Sequence, residues 1–372
     1  MIREFDNQDW GAFLGRRYIE VDVSKAQAAI AGKTILLTGA GGSIGSALAM
    51  RIAASGPRLL LLLESSEQNL YQIHTDLGAL AQAAPHIPIL GDIADRPLMD
   101  EIFAQHSPQV VFHAAAFKHV PLMETNPLAA VRNNALGTSA LAKAVAQHGA
   151  ENLVMISTDK AANPHSVMGV SKRVAELALM ALSNEQTQMN SVRLGNVLGS
   201  RGSVGPLFLQ QISRGGPVTV THPEVRRYFL TLCETVGLVL TAASLDSCGG
   251  IWVPEPGPAL KILDLAKYLI REAGLTPGKD VPIDYIGLRP GDKMVEQLVS
   301  TRESKENRAV CGLWPVGGPR LSPCDLEAAL AELTETCRQR DVTAVMRALC
   351  STVPEYQPSA ALLELSKHSE TR

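Results

Sequence analysis

Asp159 and Lys160 stand side by side in the run Ser157-Thr158-Asp159-Lys160 and join a carboxyl to an amine, the residue types that carry paired acid and base steps. Partial burial and mutual charge can tune two such pKa values together, so that one group gives a proton while the other takes one. The run follows an apolar stretch, Asn152 to Ser157, which puts it at the carboxyl edge of a buried strand, where α/β sheets bind their ligands. Lys118 lies just beyond a similar run, Gln109 to His113, and faces the same edge, within reach of a hydroxyl or a phosphate.

A second constellation is suited to holding a ligand. Strand-like Thr34 to Thr38 runs into Thr38-Gly39-Ala40-Gly41-Gly42-Ser43-Ile44-Gly45, and an Ala-rich helical stretch follows. Gly39, Gly42 and Gly45 fit T-G-x-x-G-x-x-G: one makes a tight turn, one admits a pyrophosphate to the backbone and one packs helix on strand. The free N–H groups at the helix start, around Ser43 and Ile44, then face the phosphates. The next strand-like run ends at Glu64, where a carboxylate accepts hydrogen bonds from both adenosine ribose hydroxyls and repels a 2′-phosphate, favouring NAD over NADP. Asp92 and Ile93, after the third run, have the position to cap an adenine with a side-chain acceptor and a backbone N–H.

The elements that must position these groups are legible as alternation. Thr34 to Thr38, Leu59 to Leu63, Ile87 to Leu90, Gln109 to His113, Asn152 to Ser157 and Ser191 to Leu194 are apolar throughout, as strands buried on both faces are, and Ala-rich helical stretches separate them. That pattern predicts an α/β fold with a doubly wound parallel sheet of Rossmann type. The expected organisation is an N-terminal extension (1–30), an NAD-binding domain (31–195, with some later segments returning to it), a smaller loop-rich substrate region (196–300) and a helical tail (301–372). In the tail, Ser322 and Pro323 form a helix start and Leu326, Leu330, Leu333 and Cys337 share one face.

Composition narrows the partners. With 34 Lys+Arg against 37 Asp+Glu, a net charge of −3 and no basic block, the chain is not built to track nucleic acid. The longest strongly apolar tract, Leu59 to Leu63, falls far short of the roughly 20 residues that span a bilayer, and the first residues do not read as a signal peptide. A cytoplasmic protein is expected, its six cysteines free thiols, with no metal-ligand spacing among them or around His113 and His119.

Further segments belong with these. They are His113-Ala114-Ala115-Ala116-Phe117-Lys118-His119-Val120-Pro121, Asn133-Asn134, Met168-Gly169-Val170-Ser171-Lys172, Arg193-Leu194-Gly195-Asn196 and Arg289-Pro290-Gly291-Asp292-Lys293. With the glycine loop they resemble an extended short-chain dehydrogenase/reductase, and more narrowly its CapD-like polysaccharide-biosynthesis branch, which includes UDP-N-acetylglucosamine 4,6-dehydratases. The superfamily's usual Tyr-x-x-x-Lys pair departs here: Met168 occupies the Tyr position and Lys172 is retained. A thioether can neither give nor accept the proton that a tyrosine handles. The long dehydratases of the branch share that Met and concentrate function in a Thr-Asp-Lys run.

The resemblance therefore implies dehydration of a UDP-sugar with NAD, with Asp159 as acid at O6, Lys160 as base at C5, Thr158 on the 4-hydroxyl and Lys172 on the nicotinamide ribose. Ala114 and Ala115 would line the cofactor, and Asn134 would hold a backbone bend. Lys118, Asn196, Arg201, Arg226 and Arg289 would bind substrate, the arginines as bidentate forks on a diphosphate. A UDP-sugar epimerase on the same scaffold and a non-catalytic dinucleotide-binding protein stand as alternatives. Leu14-Gly15-Arg16 resembles the stretch that joins a membrane region to the enzyme domain in longer members, so a soluble form of that design is expected. A homodimer through the helical stretches Pro127 to His148 and Pro164 to Ser183 is the superfamily habit, with Ala140, Ala144, Ala175 and Ala178 permitting close approach.

Overall fold

The apolar runs become neighbours in one nine-stranded sheet. A computed structural model describes residues 10–80, 84–245 and 249–369. Its main strands are β1 (Thr34–Thr38), β2 (Leu59–Glu64), β3 (His86–Leu90), β4 (Val110–His113), β5 (Asn152–Thr158), β6 (Gln188–Leu194), β7 (Gly250–Pro254), β8 (Ser304–Lys305) and β9 (Leu313–Gly317). The spatial order is β8-β9-β7-β6-β5-β4-β1-β2-β3, parallel from β7 to β3. The direction of winding reverses between β1 and β4, and the crevice there is where such sheets bind ligands.

Helices cover both faces, as continuous apolar strands require. On one side α1 (Val23–Ile30), α2 (Ser43–Ala53), α3 (Glu67–Gly78) and a later helix, Leu232–Ala242, share a core with Ile35, Leu37, Leu60 and Leu62. On the other, α4 (Arg96–His106), α5 (Thr138–Gln147) and α6 (Val167–Leu182) pack on Leu36, Leu61, Val111 and Leu153. A π-helical turn, Val131–Gly137, leads into α5.

The region after β6 has its own core, in which Trp10 and Leu14 from the N-terminal extension join Phe208, Ile212, Val218, Leu265 and Leu269. Short strand pairs build its frame, including Arg226–Arg227 with Leu260–Lys261.

The tail departs from the expectation of a purely helical segment. Its first part supplies β8 and β9, the antiparallel edge of the main sheet, before α7 (Pro323–Gln339) and α8 (Val342–Thr352) begin. These two helices bear on the expected pairing with a second copy. Leu326, Leu330, Leu333 and Cys337 of α7, with Val345, Met346 and Leu349 of α8, pack against Val131, Ala135, Val174, Leu177 and Ala178. The π turn and α6, part of the stretch expected to meet a second copy, are therefore covered by the chain itself, whereas α5 contributes nothing to that cluster. Ala144 and Ala175 are buried in the sheet-side core, and Ala178 beneath the tail. Among the described residues no helix is long and apolar enough to cross a membrane.

Candidate active site

The glycine loop has the shape its spacing predicts. Gly39 sits at φ +66°, and a Cβ there would lie 2.6 Å from the backbone of Ala115, so β1 and the segment after β4 approach too closely for any side chain. A Cβ on Gly45 would fall 2.0 Å from the Gly39 carbonyl, which is how α2 seats against the turn. Gly42 is the N-cap of α2, leaving that helix's first N–H groups directed at the crevice. Thr38 is buried below the loop, where its hydroxyl pairs with His113 Nδ1 at 2.7 Å.

Glu64 reaches back under the loop: its carboxylate accepts from Gly41 N at 3.0 Å and from Ser66 N at 3.1 Å. Each oxygen keeps a second lone pair for a ribose hydroxyl. Asp92 is exposed, while the side chain of Ile93 is buried against Gly137.

At the carboxyl end of β5 the chain turns through a 3₁₀ segment, Asp159–Ala161. Asp159 is wholly buried, accepts from Thr158 Oγ1 at 3.0 Å and pairs with Lys160 Nζ at 2.9 Å, and its second oxygen has no hydrogen-bond partner. Burial works to lower the Lys160 pKa, but Asp159 and then Glu296 outweigh it, so the amine rests charged. Met168 and Lys172, one turn apart on α6, are both buried. Burial lowers Lys172 to about 8, with Glu176 opposing the shift. A Cβ on Gly169 would lie 2.3 Å from the Lys160 carbonyl, so α6 is pressed onto the reactive turn.

Asn134, inside the π turn, clamps the segment after β4. Its Oδ1 accepts from Phe117 N at 2.9 Å, and its Nδ2 donates to Phe117 O at 2.9 Å and to Ser171 Oγ at 3.1 Å. His113 is a structural residue: it bridges Thr38 and Thr138, and burial holds its pKa well below the ordinary value.

The arginines separate. Arg201 lies over the glycine loop rather than with the other two: its guanidinium donates to Gly41 O and to Asn69 Oδ1, its N–H meets Ser43 Oγ, and Lys118 Nζ holds its carbonyl at 2.8 Å. Arg289 is half-exposed and paired with Asp292 at 2.9 Å. Arg226 points outward to Ala259 O, whereas its neighbour Arg227 is buried and reaches Glu296. Alternation along a strand sends successive side chains to opposite faces, and a sequence alone does not say which of the two turns inward. Asn196 is half-buried, its N–H bound to Tyr228 O.

Sequence reasoning missed Glu296, Lys293 as an inward group, and Glu124, which accepts from Val167 N at 2.7 Å at the start of α6 and also from Ser359 of the tail. The one available signal was the Arg-Pro-Gly-Asp-Lys run, three residues before Glu296.

Sheet order, glycine cradle and reactive edge together define an extended short-chain dehydrogenase/reductase. The chain belongs to the polysaccharide biosynthesis protein family, whose model matches residues 35–313. It is 44% identical over 328 residues to a probable polysaccharide biosynthesis protein, EpsC, of Bacillus subtilis, covering 85% of this chain and 54% of that one. It is 45% identical over 293 residues to the capsular polysaccharide biosynthesis protein CapD of Staphylococcus aureus, covering 78% and 49%. The chain thus spans about half the length of these two curated relatives.

A UDP-glucose 4-epimerase of Rickettsia rickettsii is 36% identical, with 73% of this chain and 79% of that one covered. Among solved structures, Pen from Bacillus thuringiensis matches with a TM-score of 0.70 at 27% identity, over 79% of this chain and 92% of that one. DesIV, a dTDP-glucose 4,6-dehydratase from Streptomyces venezuelae solved with NAD, shares the fold at a TM-score of 0.63 and 19% identity, over 82% and 98%.

Proposed function

We propose that this chain is an NAD-dependent nucleotide-sugar 4,6-dehydratase acting on a UDP-sugar, with UDP-N-acetylglucosamine the first candidate. The observation that carries this reading is the couple of buried Asp159 with partly buried Lys160, beside a helix on which Met168 stands where the resemblance expects the proton-handling tyrosine. The glycine loop, the α2 N-terminus and Glu64 fit a dinucleotide, since a cradle closed to any Cβ leaves backbone N–H groups free for a pyrophosphate. NAD, when bound, supplies the acceptor that takes the C4 hydride and returns it at C6.

The residues do the proton work. Oxidation at C4 acidifies the C5 hydrogen, and elimination then needs a base at C5 and an acid at O6. Asp159 and Lys160 rest as carboxylate and ammonium, the reverse of those forms. A proton passed along their 2.9 Å hydrogen bond gives neutral acid and free amine. Displacement of water by the sugar favours that transfer, because two charges are costlier to desolvate than two neutral groups. During the C4 oxidation Thr158 holds the 4-hydroxyl and relays its proton away as the hydride leaves, Lys172 holds the nicotinamide ribose, and Lys118, Asn196 and Arg289 receive the substrate diphosphate. Arg201, seated on the glycine loop, serves the cofactor side of the same crevice.

Incubation of the purified chain with NAD and UDP-N-acetylglucosamine should yield a product lighter by one water and bearing a 4-ketone. Unchanged mass with every member of a panel of UDP-sugars would overturn the reading. The epimerase identity favours a second reading, in which a product of unchanged mass carries an inverted C4.

A further inference from the structure

Glu296 is a carboxylate that the proposed mechanism leaves without a part. It is 1% exposed, with Oε1 3.9 Å from Lys160 Nζ and 3.5 Å from Arg227 Nη2, and Oε2 3.4 Å from Lys293 Nζ. That second oxygen makes no hydrogen bond. Lys293 instead donates to the carbonyls of Ala162 and Asn163, at 3.0 and 2.9 Å, tying the 292–297 segment to the end of the reactive turn. A buried carboxylate is costly unless it is saturated with partners, as Glu176 is by Arg193, Arg173 and Ser157. Glu296 is ringed by cations at ion-pair distance yet under-bonded.

We propose that Glu296 is a positioning residue of this site: it lies beside the Lys160 amine and stabilises the positive charge that grows on Nζ as a substrate proton is taken, while Asp159 gives up its own proton to O6. The inference rests on the dehydratase reading for its chemistry, though not for its geometry. The C5–H bond breaks, an N–H bond forms on Lys160, and the new ammonium lies opposite a fixed anion that needs no reorganisation. Arg227 meets the same Glu296 oxygen as Lys160, and Lys293 meets the other. The groups facing Lys160 are then Asp159 on its own turn, Glu296 and Lys293 on the 292–297 segment and Arg227 on the 226–227 strand, with His165 near Lys293 and Glu296.

Competitive acetylation across a pH series, read by mass spectrometry at Lys160 in the full chain, tests this without turnover. Glu296→Gln should lower the Lys160 midpoint by about one pH unit, and Glu296→Asp should restore most of it. A residue that merely fills space would leave the midpoint where it is, and an unmoved midpoint in a folded Glu296→Gln protein overturns the proposal. Should that variant fail to fold, Asp159→Asn serves, because Glu296 is then the remaining carboxylate beside Lys160. The Lys160 midpoint should stay above that of Lys172, which burial holds at about 8, and a fall below it overturns the proposal. If no UDP-sugar is consumed by the wild type but the midpoint moves as stated, the dehydratase reading fails and the positioning of Lys160 stands. If sugars are consumed and the midpoint does not move, the reading stands and Glu296 has no such role.

Discussion

Two clusters of buried charge flank α6 and are finished to different degrees. Behind the helix, Arg193 is fully buried and uses all five of its N–H donors: two on Glu176 at 2.8 and 2.7 Å, two on Glu303 at 2.6 and 2.9 Å, and one on Leu298 O at 2.9 Å. Ser157 and Arg173 complete Glu176, and Arg173 also pairs with Glu303. In front, Asp159 and Glu296 each keep an oxygen without a hydrogen bond beside Lys160. A cluster whose carboxylates are saturated costs too much to disturb and so fixes geometry, although Arg173 Nε stays 3.5 Å from Glu355 without a hydrogen bond. An unsaturated one retains affinity for a further partner and can exchange protons. The closed cluster locks β5, α6 and β6 together through Ser157, Glu176 and Arg193, and thereby fixes the turn that carries the open one.

The largest effects are expected at the open cluster. Asp159→Asn and Lys160→Ala should each reduce turnover about a thousandfold while NAD affinity, measured by calorimetry, stays at the wild-type value, since neither residue touches the glycine loop. Equal turnover in wild type and variants would mark a retired site.

The closed cluster should fail through stability. Arg193→Met leaves two carboxylates buried without their guanidinium and should cost about 3–5 kcal/mol in a denaturant titration. Burial pushes the Glu176 pKa up, but Arg193 and its other partners pull it below the ordinary 4.5. Its contribution is therefore complete above that value and disappears as pH falls through the depressed one. Wild type should lose stability on acidification more steeply than Glu176→Gln, and parallel curves would contradict the assignment.

The smallest effect belongs to Lys172, between the two clusters. With its pKa lowered from 10.5 to about 8, the folded state holds this proton less tightly than the unfolded one. Stability should gain from this group as pH rises from about 8 toward 10.5, and Lys172→Met should remove that gain from the pH dependence of the melting midpoint.

Much of the cofactor half was legible in the sequence because its parts are local. Gly39, Gly42 and Gly45 lie within one turn and the start of one helix, so spacing alone dictates where they fall. Apolar runs likewise announced the parallel strands, with boundaries off by no more than about three residues, as at β6. The reactive half was half legible. Asp159 and Lys160 are adjacent, but Glu296 and Arg227 arrive from segments over sixty residues away, and no local period marks them. The place of the tail was not legible for a related reason. The stripe of Leu326, Leu330 and Leu333 announced a face to be buried without saying against what, and the fold laid it over the π turn and α6, part of the stretch assigned to a second copy.

The sequence by itself determined an α/β sheet, a glycine-rich turn ahead of α2 and an adjacent carboxyl and amine at a strand end. These follow from periodicity, glycine sterics and the chemistry of neighbouring residues, all properties of short stretches of chain. Only the tertiary structure decided that Lys160 lies between two carboxylates, that Arg227 rather than Arg226 turns inward, and that the tail closes the outer face of α6. Charge and burial depend on what packs nearby, and that is fixed only when distant segments meet.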